Sequence, residues 1–378
     1  MPELNIKPIQ NKREREIFLT FPWQVYKDDP LWVPPIIPER RKAIDPRLGG
    51  FFRRGGEADF FIAWQGEQPV GTICCAEDKE ANANTGLRES IFGFFECVND
   101  PTVAKALFDH AVGWARERGF RSITGPFNLD YEDGYGVLIE GRDRPPVILC
   151  GHSPDYYQGF FESYGFYPSR GDNLAYALDL TQTTPALDRL AQGAQRARAL
   201  GRFQIRSARF DQWEAEIDCV HPLINAALAH LPDHRPWPRE TLQESFAPFK
   251  QIADPDLILF AEENGQTIGF FPGVPNLNEA FIHANGLRHA WNYLPLLLRM
   301  RQRTRCLAIK SVLVYPEYWN SGVALMLFDE MICRARERGY QWADLSLTSA
   351  DNPKTPMLAE RFGAKIYKRY RVYRLEVD

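Results

Sequence analysis

From Ser311 to Phe328 the chain reads Ser-Val-Leu-Val-Tyr-Pro-Glu-Tyr-Trp-Asn-Ser-Gly-Val-Ala-Leu-Met-Leu-Phe, residue types that suit the holding of an anion. Val312 and Val314 bracket a branched, apolar run fit for a covered strand, and Pro316, which has no amide hydrogen, ends it. Ser321 is placed to cap a helix, Gly322 removes side-chain bulk, and Val323 to Phe328 with Met331 and Ile332 continue as an apolar helix. The free N–H groups and the dipole of such a helix start both favour bound negative charge, so a diphosphate fits. A glycine here also serves close packing of the turn on a sheet.

Other chemistry-bearing residues carry weaker signals. Glu279, His283 and Tyr315 are the polar candidates nearest the inferred site, and each also has an ordinary place at a strand end or in a hydrogen-bonded core. His230 and His234 have metal-pair spacing, but Pro232 separates them and no third ligand is evident, so no metal is expected. Arg299, Arg301, Arg303 and Arg305 recur at every second residue and, if extended, would share a face that could meet a phosphate; a solvated basic face is the commoner meaning.

These residues need a scaffold, and 378 residues exceed one usual domain, so two cores are expected. The 45 basic residues nearly balance 49 acidic ones, for a net charge of -4, which argues against a general nucleic-acid binder. No apolar run is long enough for a membrane span, and the start lacks a basic-then-apolar leader pattern; a cytoplasmic location is the expectation. Seven scattered cysteines without Cys-x-x-Cys spacing suit small buried residues in a reducing compartment.

Along the chain, Leu4 to Ile9 predicts a strand, Arg13 to Tyr26 a helix divided at Pro22, and Phe60 to Ala63 with Val70 to Cys75 a hairpin. Ile91 to Val98 predicts a strand, Thr102 to Arg118 a helix with a left-handed end at Gly119, and Ser122 to Thr124 another strand. A long loop from Gly125 to Pro154, a short helix and two strands close this half. Thr184 and Pro185 open a linker helix with Leu187, Leu190, Ala191 and Ala194 on one face. The order then restarts, with helices over Trp213 to Ala229 and Glu240 to Phe249, a hairpin over Leu257 to Phe271, and a helix over Arg288 to Arg299.

The restart is visible in the letters. Ala106 to Phe120 and Met326 to Tyr340 share Leu-Phe-Asp and Ala-Arg-Glu-Arg-Gly at one constant offset, and Glu162-Ser-Tyr-Gly165 parallels Glu360-Arg-Phe-Gly363. At that offset Asn99-Asp100-Pro101 stands where the C-terminal copy has Trp319-Asn320-Ser321. Asp100 would cap its own helix, Pro101 removes a free amide, and the carboxylate repels a diphosphate.

The turn Trp319-Asn-Ser-Gly322-Val-Ala324, preceded by Val314-x-Pro316-Glu-Tyr318, resembles the signature of the GNAT superfamily of acyl-CoA-dependent N-acyltransferases, Gln/Arg-x-x-Gly-x-Gly/Ala, with Trp319 in place of Gln or Arg. The element order of each half is similar to a GNAT domain. Val274-Pro-Asn-Leu-Asn-Glu279, Asn352 and the ending Tyr367 to Arg374 resemble a tandem-GNAT family. The resemblance implies an α/β fold of two tandem GNAT-like domains with mixed central sheets: residues 1–182, a linker helix 183–201, and residues 202–378. It implies acetyl-CoA or another acyl-CoA as co-substrate, with Val312 and Val314 meeting pantetheine and Trp319, Asn320, Ser321, Gly322, Val323 and Ala324 around the diphosphate.

The acceptor implied is a small-molecule or peptide amine, in a cleft lined by Asn276, Asn278, His283 and Asn352, with Glu279, Tyr315 and Asn352 as candidates for the chemistry. The tyrosine that many relatives use as acid is here Ala359. Alternatives are a non-catalytic acyl-CoA or partner-binding protein, or an aminoacyl-tRNA-dependent transferase.

Overall fold

A computed structural model describes residues 3–129, 135–229, 236–352 and 354–377. His230 and His234 lie outside them. The strands in chain order are β1 (Leu4–Pro8), β2 (Glu57–Gln65), β3 (Gln68–Glu77), β4 (Glu89–Cys97), β5 (Ser122–Gly125), β6 (Val137–Glu140), β7 (Tyr167–Pro168) and β8 (Asn173–Asp179) in the first half. The second half has β9 (Gln204–Ser207), β10 (Ile258–Glu263), β11 (Gln266–Pro275), β12 (Cys306–Ile309), β13 (Leu313–Val314), β14 (Trp342–Ser349), β15 (Lys365–Arg371) and β16 (Tyr373–Glu376).

They form two mixed sheets. One runs β1-β2-β3-β4-β5-β16-β7; the other runs β6-β15-β8-β14-β12-β11-β10-β9, with β13 on β11. In each sheet one parallel pair, β4 with β5 and β12 with β14, sits among antiparallel neighbours. Sequence order does not divide the sheets cleanly: β16, at the end of the chain, pairs with β5 and β7, while β6 and β8 pair with β15 in the second sheet. Each half completes the other's sheet.

The second sheet is covered on both faces, as the period of two requires. Leu257, Leu259 and Ala261 pack with the linker helix Pro185–Ala199 and the helix Val323–Glu337, whereas Ile258 and Phe260 face the helices Trp213–Leu228 and Arg239–Phe246. Thr184 accepts from the Leu187 amide, with Pro185 in the first turn. The face of that helix is rotated from expectation. Ala191 is exposed and Ala197 is buried with Leu187, Leu190 and Ala194, because Ala197 continues the i, i+3 spacing from Ala194.

Among the described residues no helix is long and apolar enough to cross a membrane. Five cysteines are buried, but Cys333 is exposed.

Candidate active site

The two helix starts differ as their residues require. In the first half, Asp100 adopts an extended conformation at the N-cap, its carboxylate accepts from the Thr102 amide at 2.8 Å, and Pro101 follows. In the second half Gly322, at φ 89°, is the N-cap of Val323–Glu337 without a side-chain cap, and the first helical bond runs from the Met326 amide to the Gly322 carbonyl. The amides of Val323, Ala324 and Leu325 precede it. Ser321 is a long-range cap: its hydroxyl donates to the Tyr318 carbonyl at 2.7 Å and accepts from the Val323 amide at 3.4 Å.

Gly322 serves packing as well. A Cβ there would lie 2.9 Å from the Ala197 Cβ of the linker helix, so the glycine answers both a left-handed turn and a close helix approach. Trp319 closes the turn from the strand side, its indole N–H donating to the Val314 carbonyl at 2.9 Å. Asn320 is exposed, and Ala324 is half-buried.

Upstream of the turn the sheet forks. β12 and β14 pair from Cys306↔Trp342 to Ile309↔Leu345, after which β13 stays on β11 and β14 shifts register against β8. Val312 lies outside both ladders and is exposed. Lys310 stands in the fork. Its ammonium donates to Asp344 Oδ2 at 3.1 Å and to Ser346 Oγ at 2.8 Å, and lies 3.7 Å from Cys150 Sγ. Asp344 and Ser346, two apart on β14, share a face; Ser346 donates to Asp344, as does the Tyr367 hydroxyl at 2.7 Å.

Burial works to lower the Lys310 pKa, but the Asp344 carboxylate beside it prevails and the net shift is upward, so Lys310 remains a cation. Burial pushes the Cys150 thiol up despite Lys310, keeping it protonated. The result is a lysine cation held at the fork by a buried carboxylate. Sequence reasoning missed this group. Its signal was present as Lys310 ending the apolar run Cys-Leu-Ala-Ile and as Asp344 and Ser346 alternating with apolar residues on one strand.

Cys150 arrives from the long loop of the first half, and Asn276 and Asn278 hold that loop. Asn276 Oδ1 accepts from the Ile148 amide at 3.1 Å, and Asn278 Nδ2 donates to the Pro146 carbonyl at 3.0 Å. Lys368, fully buried on β15, donates to the carbonyls of Gly141 and, at 2.8 Å, Arg144. Glu279 accepts from the amides of Arg305 and Cys306 at 2.8 and 2.9 Å, which occupies both carboxylate oxygens at the start of β12, opposite the fork.

The remaining candidates do not converge there either. Tyr315 packs between two hydrophobic clusters, with burial raising its pKa. Asn352 follows β14, its amide donating to the Ser349 carbonyl, and His283 lies beside Leu294, Leu298 and Arg299. Ala359 is buried in the core. The four arginines are not an extended row, because Arg299 belongs to the helix Tyr293–Met300 and the strand begins only at Cys306. Among the described residues no group of three His, Cys, Asp or Glu is arranged to hold a metal.

A second polar group lies in the first half. The Tyr157 hydroxyl donates to Glu96 at 2.8 Å while accepting from the Cys97 amide, and the Tyr26 hydroxyl donates to the His152 carbonyl. Burial pushes the Glu96 carboxyl up to about 7 against the hydrogen bond of Tyr157. The folded protein therefore holds this proton longer than the unfolded chain, whose carboxyl has the ordinary 4.5. The stabilisation is complete below pH 4.5 and is lost as pH rises through 7. Glu96→Gln should remove this dependence and gain about 2 to 3 kcal/mol on the parent between pH 5 and 8, measured by denaturant unfolding at both. Parallel curves for the two proteins would contradict it.

Two mixed sheets, the second of them forked and followed by an open glycine turn, are an architecture that comparison with known proteins also finds. Residues 223–364, which include Lys310, Gly322 and Asp344, match the Acetyltransferase (GNAT) family. A tandem GNAT protein from the clavulanic acid biosynthesis pathway superposes with a TM-score of 0.57 at 13% identity, covering 100% of this chain and 99% of that one. A GCN5-related N-acetyltransferase from Sphaerobacter thermophilus does so with 0.52 at 16% identity, over 99% and 96%. The second half thus matches the GNAT family, and the fold of the whole chain is that of tandem GNAT proteins.

In sequence it is similar along nearly its whole length to two bacterial proteins. One, named bacterial ceramide synthase, from Caulobacter vibrioides, is 29% identical over 98% of this chain and 97% of its own. The other, protein YghO of Escherichia coli, is 27% identical over 98% and 95%.

Proposed function

We propose that the chain is an acyl-CoA-dependent N-acyltransferase, with its acyl-CoA on the C-terminal half and a long-chain amine as acceptor. The observation that carries this reading is the contrast between the two helix starts: Gly322 leaves amides open, whereas Asp100 and Pro101 close the equivalent place. Asn320 to Ala324 would hold the diphosphate. The backbone at Val312 would meet the pantetheine arm, since the Val314 carbonyl is engaged by Trp319.

The reaction joins amine nitrogen to thioester carbon and breaks the carbon–sulfur bond. Lys310, held by Asp344 and Ser346, supplies a preorganised charge for the carbonyl oxygen as it becomes negative. A thiol has a pKa near about 8.5, so the thiolate leaves without a strong acid and buried Ala359 is no obstacle. The neutral amine gives its proton to solvent. The length-wide similarity to a protein named bacterial ceramide synthase supports a long-chain amino alcohol as acceptor.

The test offers purified protein acetyl-CoA and palmitoyl-CoA with a long-chain amino alcohol, short polyamines and a lysine peptide, following thiol release and amide mass. An amide of the long-chain amine is the expected product. Acyl-CoA binding without an amide from any amine would replace the proposal with a non-catalytic acyl-CoA binder.

A further inference from the structure

Opposite the fork, beyond the start of β12, the surface changes character. The segment from Arg288 to Arg305 holds five arginines and no acidic residue. It forms a short turn over Ala290–Asn292 and then the helix Tyr293–Met300, anchored by buried Leu296 against Ala280 and Ala284. The rest of its apolar surface faces out: Trp291 is 70% exposed, Leu294 63%, Leu297 58% and Leu298 54%, with Tyr293 and Met300 also exposed. Leu294, Leu297, Leu298 and Arg301 follow the i, i+3, i+4, i+7 spacing of one helical face.

The arginines border this face. Arg299, Arg303 and Arg305, with Arg338, line a cleft of about 560 Å³ beside the helix. The acids in the cleft are engaged: Asp254 pairs with Arg338, and Glu279 accepts the two backbone amides of β12. Among the described residues Arg299 donates to the Gln302 side chain and Arg303 to the Arg338 carbonyl, both neutral acceptors. The cleft therefore favours an anion next to the apolar ridge.

We propose that this segment docks the protein on the surface of an anionic phospholipid bilayer, with Trp291, Leu294, Leu297 and Leu298 entering the headgroup boundary and Arg299, Arg301, Arg303 and Arg305 meeting lipid phosphates. A ridge of exposed leucines with a tryptophan at its edge and arginines along its flank is the residue distribution of a helix lying in a bilayer interface. Isolated exposed leucines need no partner, but this contiguous set on one short helix does. A second copy fits less well, because two such faces would bring ten arginines together without an acid between them. The docking is independent of the acyl-transfer reading, since it uses neither the fork nor the glycine turn.

The experiment is co-sedimentation of the full chain with vesicles of phosphatidylcholine containing phosphatidylglycerol, and with phosphatidylcholine alone, at low and high salt. The parent should bind the anionic vesicles at least about tenfold more tightly than the neutral ones, with loss at high salt. Leu294→Ser/Leu297→Ser/Leu298→Ser should lose about tenfold or more with an unchanged melting temperature, since these side chains are exposed. Arg301→Glu/Arg303→Glu should remove the preference for anionic lipid. No binding to anionic vesicles at low salt, or binding that neither variant weakens, would overturn the proposal. So would a dimer in light scattering that the leucine variant disperses, with no vesicle binding, which would give the face to a second copy.

Discussion

Lys310→Met should reduce amide formation by about 100-fold or more while leaving acyl-CoA binding near that of the parent, because the ammonium matters where charge develops and not where the diphosphate sits. Loss of fold would mimic this result. The substitution leaves Asp344, fully buried, with the hydroxyls of Ser346 and Tyr367 as its side-chain donors among the described residues, and breaking such a pair on one side costs about 3–5 kcal/mol. Lys310→Met/Asp344→Leu removes both charges and should recover most of that stability, as buried pairs replaced by apolar groups often do, without recovering activity. Recovery of turnover in the double variant would show that Lys310 serves the fold alone.

Ala324→Glu should separate binding from stability in the opposite way. A carboxylate in the first turn interacts favourably with the helix dipole, worth about 0.3–1 kcal/mol, so the melting temperature should hold or rise. The same charge would stand among the amides of Val323 to Leu325 and repel a diphosphate, so calorimetry should show CoA affinity reduced by about 100-fold. It is a cleaner test than a change at Gly322, where φ 89° and the Ala197 contact make any side chain a packing defect. Unchanged affinity would place the cofactor elsewhere.

What could be read from the sequence was local. The Asp100 cap, the Thr184 cap and the left-handed glycine at 119 each depend on a few adjacent residues, and all are found. The repeat put two copies of one unit in order. It could not show that β16 completes the first sheet and β6 and β8 the second, because strands on either side of the linker carry the same alternation and nothing local selects the partner.

The candidate site was half legible for the same reason. The glycine turn is one stretch of chain, whereas Lys310, Asp344 and Cys150 meet only once β12, β14 and the loop after β6 are assembled. Asn276, Asn278 and Glu279, grouped by their closeness in sequence, instead bond to the loop and to β12. The arginines from 299 to 305 would share a face only if extended, and the helix expected over Arg288 to Arg299 already argued against that. A period of two suggests a strand, yet helix Tyr293–Met300 runs through the first of them.

Backbone hydrogen exchange with and without a non-transferable acyl-CoA analogue tests the central claim most directly, because it reports the site amide by amide. Protection should appear at Val323, Ala324 and Leu325 and at Val312, and the helix start at Thr102 to Ala104 should be unaffected. Protection confined to Thr102 to Ala104, or none in either half at saturating analogue, would contradict a C-terminal acyl-CoA site.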